Sequence, residues 1–200
     1  MTIKLLGLTG SIGMGKSTVG KMFEALGIPV YNVDARIHEL YEPGGVAVEP
    51  VGQVFPEAVI EGRVDRPTLS KLVVGNEEKI KQLERIVHPL VGMDRQDFIT
   101  NAEQNGKSML VLDVPLIFET KGEKNFDTII VVSAPKDVQR ARVLARDDMT
   151  EEKFEAILAR QVPDAEKRTL ADHIIETNCT EEETLGQVKA LIDTLTEERS

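Results

Sequence analysis

The sequence predicts an α/β fold built on a parallel sheet with helices on both faces. A short apolar strand at 3–8 leads through a glycine-rich turn into a helix at 16–26 and a strand at 28–33, which is a βαβ unit of about 30 residues. Continuous apolar runs at 108–113 and 128–132 are typical of strands that are buried on both faces. Together these observations favour a parallel sheet covered by helices.

The remaining core elements continue the alternation of strands and helices. Gly27 is expected to end the first helix as a C-cap. Charged helices are predicted at 136–147 and 150–161, and an amphipathic helix at 181–195, because apolar residues recur there at helical spacing. A last short strand is expected at 174–175.

Residues 35–107 interrupt this alternation. A crossover between parallel strands needs far fewer residues than these roughly 70. Pro89 is expected to separate the last two of four predicted helices, at 36–41, 68–74, 76–87 and 90–103. We therefore expect a helical insertion with a function of its own.

Composition excludes several classes of protein. The net charge of −10 disfavours a binder of duplex nucleic acid, which usually has a basic excess, but a few local Lys and Arg side chains could still hold a small anionic substrate. Cys179 is the single cysteine, so no internal disulfide can form, which suits a reducing cytosol. The sequence shows neither an export signal nor an apolar stretch near the about 20 residues of a membrane span, so a cytoplasmic protein is expected.

Residues 10–17, Gly-Ser-Ile-Gly-Met-Gly-Lys-Ser, match the phosphate-loop pattern G-x-x-x-x-G-K-[ST]. The glycines let backbone N–H groups approach a phosphate, and the following helix adds the positive end of its dipole. Lys16 is expected to neutralise the β- and γ-phosphates, and Ser17 to ligate Mg²⁺. The sequence therefore predicts a P-loop NTPase fold that binds a nucleoside triphosphate through Ser11, Ile12, Gly13, Met14, Gly15, Lys16, Ser17 and Thr18.

Two aspartates follow predicted strands. Asp113 would lie beside Ser17 at the metal, directly or through water, unless it only caps a turn or helix. Asp34 is expected to end the strand beside the P-loop strand, at the sheet edge where open α/β folds bind ligands. It would either accept a proton from an attacking hydroxyl or cap the helix from Ala35. His38 lies one helical turn further on, as a site residue or as a packing or surface residue.

Arg140, Arg142 and Arg146 lie on one predicted helix. Such charges usually form a solvated face, paired here with nearby acids such as Glu151. In a P-loop enzyme, helices after the fourth strand can instead close over the triphosphate, where an arginine stabilises transition-state charge. Both alternatives stay open for Arg140 and Arg146.

Beyond single motifs, the chain resembles the dephospho-coenzyme A kinase family over nearly its whole length. The resemblance rests on 8–18 around the phosphate loop, 33–41 with its Asp-x-x-x-His pair, 86–90 with its His-Pro pair, 113–119 (Asp-Val-Pro-Leu-Ile-Phe-Glu), and Arg160-Gln161 ahead of 167–168 and 171–172. It implies transfer of the γ-phosphoryl group of ATP to the 3′-hydroxyl of dephospho-CoA, the last step of coenzyme A biosynthesis.

The resemblance also implies roles for individual residues. Asp34 would be the general base or would orient the hydroxyl, and Arg140 would be the lid arginine over the phosphates. The acceptor would contact Asp34, His38, Arg66, His88, Leu116, Phe118 and Glu119. The lid and adenine residues would be Arg140, Arg146, Thr177 and Asn178.

Two departures from the family pattern stand out. The family commonly has an asparagine near the adenine, where this chain has Thr177 followed by Asn178. Met14 replaces a more usual serine, and we expect little effect because that position contributes mainly its backbone N–H.

The fold that the resemblance implies is a five-stranded parallel sheet flanked by helices, with a helical acceptor-binding insertion and a lid. The expected boundaries are 1–34, 108–135 and 169–200 for the nucleotide-binding core, 35–107 for the acceptor domain and 136–168 for the lid. ATP, dephospho-CoA and Mg²⁺ are the expected ligands, with neither nucleic acid nor membrane as a partner, and we expect a monomer.

Two other functions compete with this one. A kinase for another small acceptor, such as a nucleoside monophosphate, would share the phosphate loop and the lid. A GTPase switch would need N-K-x-D and D-x-x-G, but the sequence offers only Thr-Lys-Gly-Glu at 120–123 and no glycine at the third place after Asp113.

Overall fold

The structure, a computed structural model, describes residues 3–198, which form two compact units. The sheet unit combines the residues up to Val30 with those from Ala102 onward, and the helical unit is Tyr31–Asn101. Each unit has a hydrophobic core of its own.

The described residues contain seven strands: β1 (Lys4–Thr9), β2 (Val30–Asn32), β3 (Val59–Ile60), β4 (Arg63–Val64), β5 (Met109–Asp113), β6 (Thr128–Ser133) and β7 (His173–Glu176). They contain nine α-helices: α1 (Lys16–Ala25), α2 (Val33–Tyr41), α3 (Val48–Val54), α4 (Arg66–Val73), α5 (Glu77–Gln104), α6 (Lys136–Leu144), α7 (Glu151–Leu158), α8 (Asp164–Leu170) and α9 (Glu181–Glu197). None of these helices combines the length and the apolar character that crossing a bilayer requires.

The predicted five-stranded parallel sheet is confirmed, with the order β2-β5-β1-β6-β7. The register of β1 with β5 sets Leu8 opposite Asp113. Because β5 lies between β1 and β2, the expectation that Asp34 follows a strand next to the P-loop strand is wrong. Burial gives the reason: every residue of β5 is buried, as a central strand requires, whereas β2 is short and mostly half-buried, as suits an edge.

Alternate residues of β6 serve opposite faces of the sheet. Ile130 and Val132 pack into the main core with side chains of α1 and α9, such as Phe23 and Leu195. Ile129 and Val131 pack instead with Ile117 and Phe118. Burial of each such side chain contributes about 1.5–3 kcal/mol, so helices or loops must cover both faces, as the apolar runs predict.

Helix ends in the sheet unit differ from the periodicity in identifiable ways. α6 ends at Leu144, three residues before the predicted end, and the chain then turns at Asp148, which has a φ of 58°. Thr150 then caps α7, accepting a hydrogen bond from the N–H of Lys153 at 3.3 Å. The short helix α8 was not predicted, since its seven mostly charged residues carry little apolar periodicity.

In the helical unit, α5 runs straight through Pro89, so the predicted helix break there is wrong. An interior proline removes one helical hydrogen bond and costs about 3 kcal/mol. Apolar residues on both sides of the proline pack into one core, among them Leu83, Val87, Leu90 and Val91. Burial of this continuous face offsets the cost, as tertiary packing often overrides local preference.

The hairpin of β3 and β4 and the helix α3 were also not predicted. Each hairpin strand has only two residues, too short for a visible alternation of apolar and polar side chains. Glu61 and Gly62 form the connecting turn with φ values of 50° and 76°.

Candidate active site

The phosphate loop joins β1 to α1 and packs tightly against its neighbours. Gly13 and Gly15 have φ values of 79° and 92°, a left-handed conformation that glycine adopts without strain. A Cβ added at Gly13 would lie 2.4 Å from Cγ2 of Val143 on α6, and one at Gly10 would lie 2.6 Å from the carbonyl oxygen of Val132. The motif glycines therefore serve the packing of the loop as well as the approach of a phosphate.

Lys16 and Asp113 form an ion pair at the carboxyl end of β5. The ammonium of Lys16 donates a hydrogen bond to Oδ1 of Asp113. The side chains are 15% and 2% exposed, respectively, so the pair is largely shielded from water. A buried carboxylate is costly unless it is compensated, and Lys16 supplies part of that compensation before any nucleotide is bound.

The oxygen ligands near this pair suit Mg²⁺. Ser17 and Thr18 stand in the first turn of α1 with exposed side chains, and Asp113 adds a carboxylate. Among residues 3–198, no group of three or more His, Cys, Asp or Glu side chains is arranged to hold a metal ion. Kinases commonly bind Mg²⁺ with one or two protein ligands plus substrate phosphates, so this donor set fits Mg·ATP.

The side chain of Met14 has a structural role, so the expectation that position 14 offers little beyond its backbone is wrong. Met14 is 2% exposed in the main core, and its Sδ accepts a hydrogen bond from the N–H of Ala134 at 3.2 Å. A long, flexible thioether can fill such a core position. Met14 therefore anchors the loop to the chain that leaves β6.

Thr177 ties the loop to the segment after β7. Its hydroxyl donates to the carbonyl oxygen of Met14 at 2.7 Å and accepts from the guanidinium of Arg142 at 2.9 Å. Thr177 is buried, whereas the neighbouring Asn178 is exposed. This Arg142–Thr177 contact was not foreseen, because residues so far apart in sequence give no periodic signal.

Two glutamines hold the backbone of Ile12. The N–H of Ile12 donates to Oε1 of Gln161 at 3.2 Å, and Nε2 of Gln139 donates to the carbonyl oxygen of Ile12 at 2.7 Å. Neither glutamine was singled out for a role in the sequence. The N–H of Ile12, which was predicted to bind phosphate, donates to Gln161 in the structure.

The predicted lid arginines are exposed. Arg140 pairs with Glu151 through Nε and Oε1 at 2.9 Å, and this hydrogen bond raises the pKa of Arg140. The pairing is the one that a solvated helix face predicts. Arg146 is exposed and forms no ion pair with another described residue. A cleft of about 440 Å³ opens beside Arg140 and is lined by residues that include Ser11, Gln139, Phe154, Gln161 and Asp164.

Of the predicted acceptor residues in the sheet unit, Leu116 is 42% exposed and Phe118 is buried. Glu119 faces inward, where Oε1 lies 2.8 Å from the ammonium of the fully buried Lys167 and accepts the N–H of Val162 at 2.9 Å. Burial opposes ionisation of Glu119, but Lys167 and the backbone donors outweigh it and lower the pKa of Glu119.

The other predicted acceptor residues lie in the helical unit. Asn32 caps α2 by accepting the N–H of Ala35 at 2.9 Å, so Asp34 lies in the first helical turn and neither ends the strand nor caps the helix. The carboxylate of Asp34 is exposed and forms no hydrogen bond or ion pair with another described residue. His38, one turn on, pairs with Glu42 at 3.4 Å.

Arg66 and His88 are exposed as well, at the start of α4 and within α5. No hydrogen bond or ion pair among the described residues joins either of them to Asp34 or His38. The structure thus makes these four side chains accessible without linking them to one another.

A partly buried network holds the helix that carries Asp34. Nε of Arg36 donates to Asp94 at 2.8 Å, and the hydroxyl of Tyr31 donates to the same carboxylate at 2.8 Å. The hydrogen bond from Arg36 lowers the pKa of Asp94, while burial and the bond to Asp94 raise the pKa of Tyr31. Tyr31 in β2 and Arg36 in α2 lie on either side of Asp34 in the sequence, and both are attached to Asp94 of α5.

A glycine phosphate loop after a central strand, a loop lysine, and an acid on the adjacent strand define a P-loop kinase fold. Solved structures agree with this class. Dephospho-CoA kinase from Campylobacter jejuni matches with a TM-score of 0.67 and 23% identity, covering 97% of this chain and 98% of that chain. A crystal structure from Thermus thermophilus matches with a TM-score of 0.80 and 32% identity, covering 98% and 99%.

Sequence comparison shows to which family of P-loop kinases the chain belongs. The family model described as dephospho-CoA kinase matches residues 4–183. The dephospho-CoA kinase of Rhodopseudomonas palustris (strain HaA2) is 48% identical over 189 residues, which cover 94% of each chain. The chain belongs to the dephospho-CoA kinase family. The predicted family, P-loop fold and ATP-dependent kinase function are thereby confirmed.

Proposed function

We propose that this chain transfers the γ-phosphoryl group of Mg·ATP to the 3′-hydroxyl of dephospho-CoA, giving CoA and ADP, with the residues below in the stated roles. The observation that carries the proposal is the shielded pair of Lys16 and Asp113 beside the phosphate loop. It holds a cation for the triphosphate and a carboxylate for the metal on adjoining elements.

On the donor side, the amides of the phosphate loop and the N-terminus of α1 would hold the phosphates. Lys16 would turn from Asp113 toward the β- and γ-phosphates, which leaves Asp113 and Ser17 to hold Mg²⁺. Bound Mg²⁺ would neutralise charge on the phosphate oxygens. Thr177 and Asn178 would lie near the adenine, with Thr177 acting mainly by holding the loop.

On the acceptor side, Asp34 would accept the proton of the attacking 3′-hydroxyl. A bond forms between that oxygen and the γ-phosphorus, the bond from the γ-phosphorus to the bridging oxygen breaks, and ADP leaves with the bonding pair. The exposure of Asp34 and its lack of a hydrogen-bond or ion-pair partner among the described residues support this role. Arg140 would neutralise charge on the transferred group.

The wider organisation is part of the same proposal. Residues 35–107, with His38, Arg66 and His88, would receive dephospho-CoA together with Leu116, Phe118 and Glu119. Residues 136–168, with Arg140 and Arg146, would close over the phosphates and exclude water, and the remaining residues would form the nucleotide-binding core. We propose a cytoplasmic enzyme that acts as a monomer, without a nucleic-acid or membrane partner.

Product analysis tests the proposal. The full chain is incubated with Mg·ATP and dephospho-CoA, and the products are separated and identified by mass and by ³¹P NMR. One CoA, phosphorylated on the 3′-oxygen, is expected for each ADP formed, with no product after chelation of the metal. ADP formed without CoA, or a phosphate on another hydroxyl, would contradict it.

A further inference from the structure

The backbone N–H and the carbonyl oxygen of Ile12 are both held by side chains of the segment that follows β6. Gln139, near the start of α6, donates to its carbonyl oxygen at 2.7 Å, and Gln161, just after α7, accepts its N–H at 3.2 Å. The two glutamines bracket residues 140–160, which include Arg140. The backbone of Ile12 in the phosphate loop therefore binds both ends of this segment.

Other contacts strengthen both attachment points. Near the first, Val143 on α6 packs so closely on the loop that a Cβ at Gly13 would meet its Cγ2 at 2.4 Å. Next to the second, the N–H of Val162 is held by Glu119 at 2.9 Å. The backbone beside Gln161 is therefore fixed independently of the glutamine side chain.

The chemistry of the two side chains suits a clamp. A carboxamide carries both a donor and an acceptor, so one glutamine can give an N–H to a carbonyl while the other accepts an N–H. Gln139 is 4% exposed and Gln161 is half-buried, so water competes little for the bond to the carbonyl. A leucine could make neither bond, and a lysine, which has no acceptor, could not replace Gln161.

We propose that Gln139 and Gln161 are positioning residues that attach the segment 140–160, and with it Arg140, to the backbone of Ile12 in the phosphate loop. The inference rests on the proposed kinase function, in which Arg140 acts on the transferred phosphoryl group. Nucleotide binding would use the other loop amides and Lys16. Loss of the clamp should therefore slow phosphoryl transfer more than it weakens ATP binding.

The test compares two variants of Gln161 in the full chain. Gln161→Leu removes the acceptor for the Ile12 N–H, whereas Gln161→Glu retains it. Hydrogen exchange at the Ile12 amide, measured by NMR without nucleotide, reports the contact itself. The exposed Gln104, which precedes β5 at the opposite end of the strand from Asp113, supplies matched Gln104→Leu and Gln104→Glu controls.

In Gln161→Leu, the Ile12 amide is expected to exchange about tenfold faster, which is the order of one neutral hydrogen bond. kcat should fall about tenfold while KM for ATP stays within about twofold. Gln161→Glu should restore slow exchange and most of kcat. Gln139→Leu should cost less when Gln161→Leu is already present, because both side chains hold the backbone of the same residue, Ile12.

Unchanged exchange in Gln161→Leu would overturn the clamp. Faster exchange with unchanged kcat would overturn its positioning role, as would a Gln161→Glu variant that behaves like Gln161→Leu. A wild-type chain that makes no CoA would instead overturn the proposed function, and the exchange rates would still decide whether the clamp exists.

Discussion

The phosphate loop differs from the predicted acceptor residues of the helical unit in how far its side chains are already engaged. Lys16 is paired with Asp113, and Thr177 holds the backbone of Met14. By contrast, Asp34 is exposed and has no hydrogen-bond or ion-pair partner among the described residues. The donor side is therefore held by contacts within the chain, whereas the carboxylate of Asp34 is accessible to a substrate.

This difference separates two kinds of mutational effect. Substitutions around the loop remove contacts of the folded protein, so they should lower stability and activity together. Substitutions of exposed acceptor residues should lower activity alone.

Asp34→Ala should lower kcat by about 10²–10⁴-fold, the range typical of a general base, while the affinity for ATP stays within about twofold. Its free energy of unfolding should hardly change, because the side chain is exposed. Steady-state kinetics, ATP titration and urea unfolding measure the three quantities. Glu57→Ala, at another exposed acid of the helical unit, is the control. A near-wild-type kcat would remove Asp34 from the mechanism.

Lys16→Ala should lower kcat by about 10²–10³-fold and also weaken ATP binding, because the lysine meets the triphosphate. Unlike Asp34→Ala, it should destabilise the nucleotide-free chain, by about 1–3 kcal/mol, since it removes one partner of the buried Asp113. Adding Asp113→Asn should restore stability but not activity. Lys21→Ala, at an exposed lysine of α1, is the control.

A Lys16→Ala variant that binds and turns over ATP normally would contradict the prediction. That result would show that the loop does not hold phosphate through this side chain. A loss of stability without a kinetic effect would show that Lys16 serves only the ion pair with Asp113 and does not act on the nucleotide.

Arg140→Ala should lower kcat by about 10²-fold without a loss of stability, because the side chain is exposed although it is paired with Glu151. Arg140→Lys should recover little of the rate, since an ammonium lacks the planar fork of a guanidinium. Lys124→Ala, at an exposed lysine of the sheet unit, is the control. Full activity in Arg140→Ala would identify the Glu151 pair as a surface contact only.

The buried pair of Glu119 and Lys167 predicts an effect of pH on stability. The pKa of Glu119 is lower in the folded chain, so ionised Glu119 stabilises the fold above the ordinary glutamate pKa of about 4.3. That contribution is lost as pH falls through the folded pKa. The difference in unfolding free energy between wild type and Glu119→Gln should shrink over that acidic range, and parallel curves would contradict the prediction.

The sequence predicts the sheet and the glycine backbone of the loop well, because both depend on local patterns. The apolar runs around 110 and 130 reflect burial on both faces, and the glycines of the loop reflect a backbone that a Cβ would obstruct. Family resemblance adds the acceptor, which no spacing could supply.

Contacts between distant residues could not be predicted in this way. Gln139 and Gln161 meet Ile12 only because α6 and the end of α7 fold back onto the loop, and neither glutamine stands in a periodic pattern. The continuous helix α5 was missed for a related reason: the local cost of Pro89 is visible in the sequence, but the core that offsets it is not.

Acceptor selectivity decides whether dephospho-CoA is the substrate of this chain. Initial rates of ADP formation by the full chain with Mg·ATP are measured with dephospho-CoA, AMP, CMP and shikimate, each as the sole acceptor and then in competition. Turnover with dephospho-CoA should exceed that with each of the others and should account for all ADP formed in the mixture. Equal or faster turnover with AMP, CMP or shikimate would contradict the account.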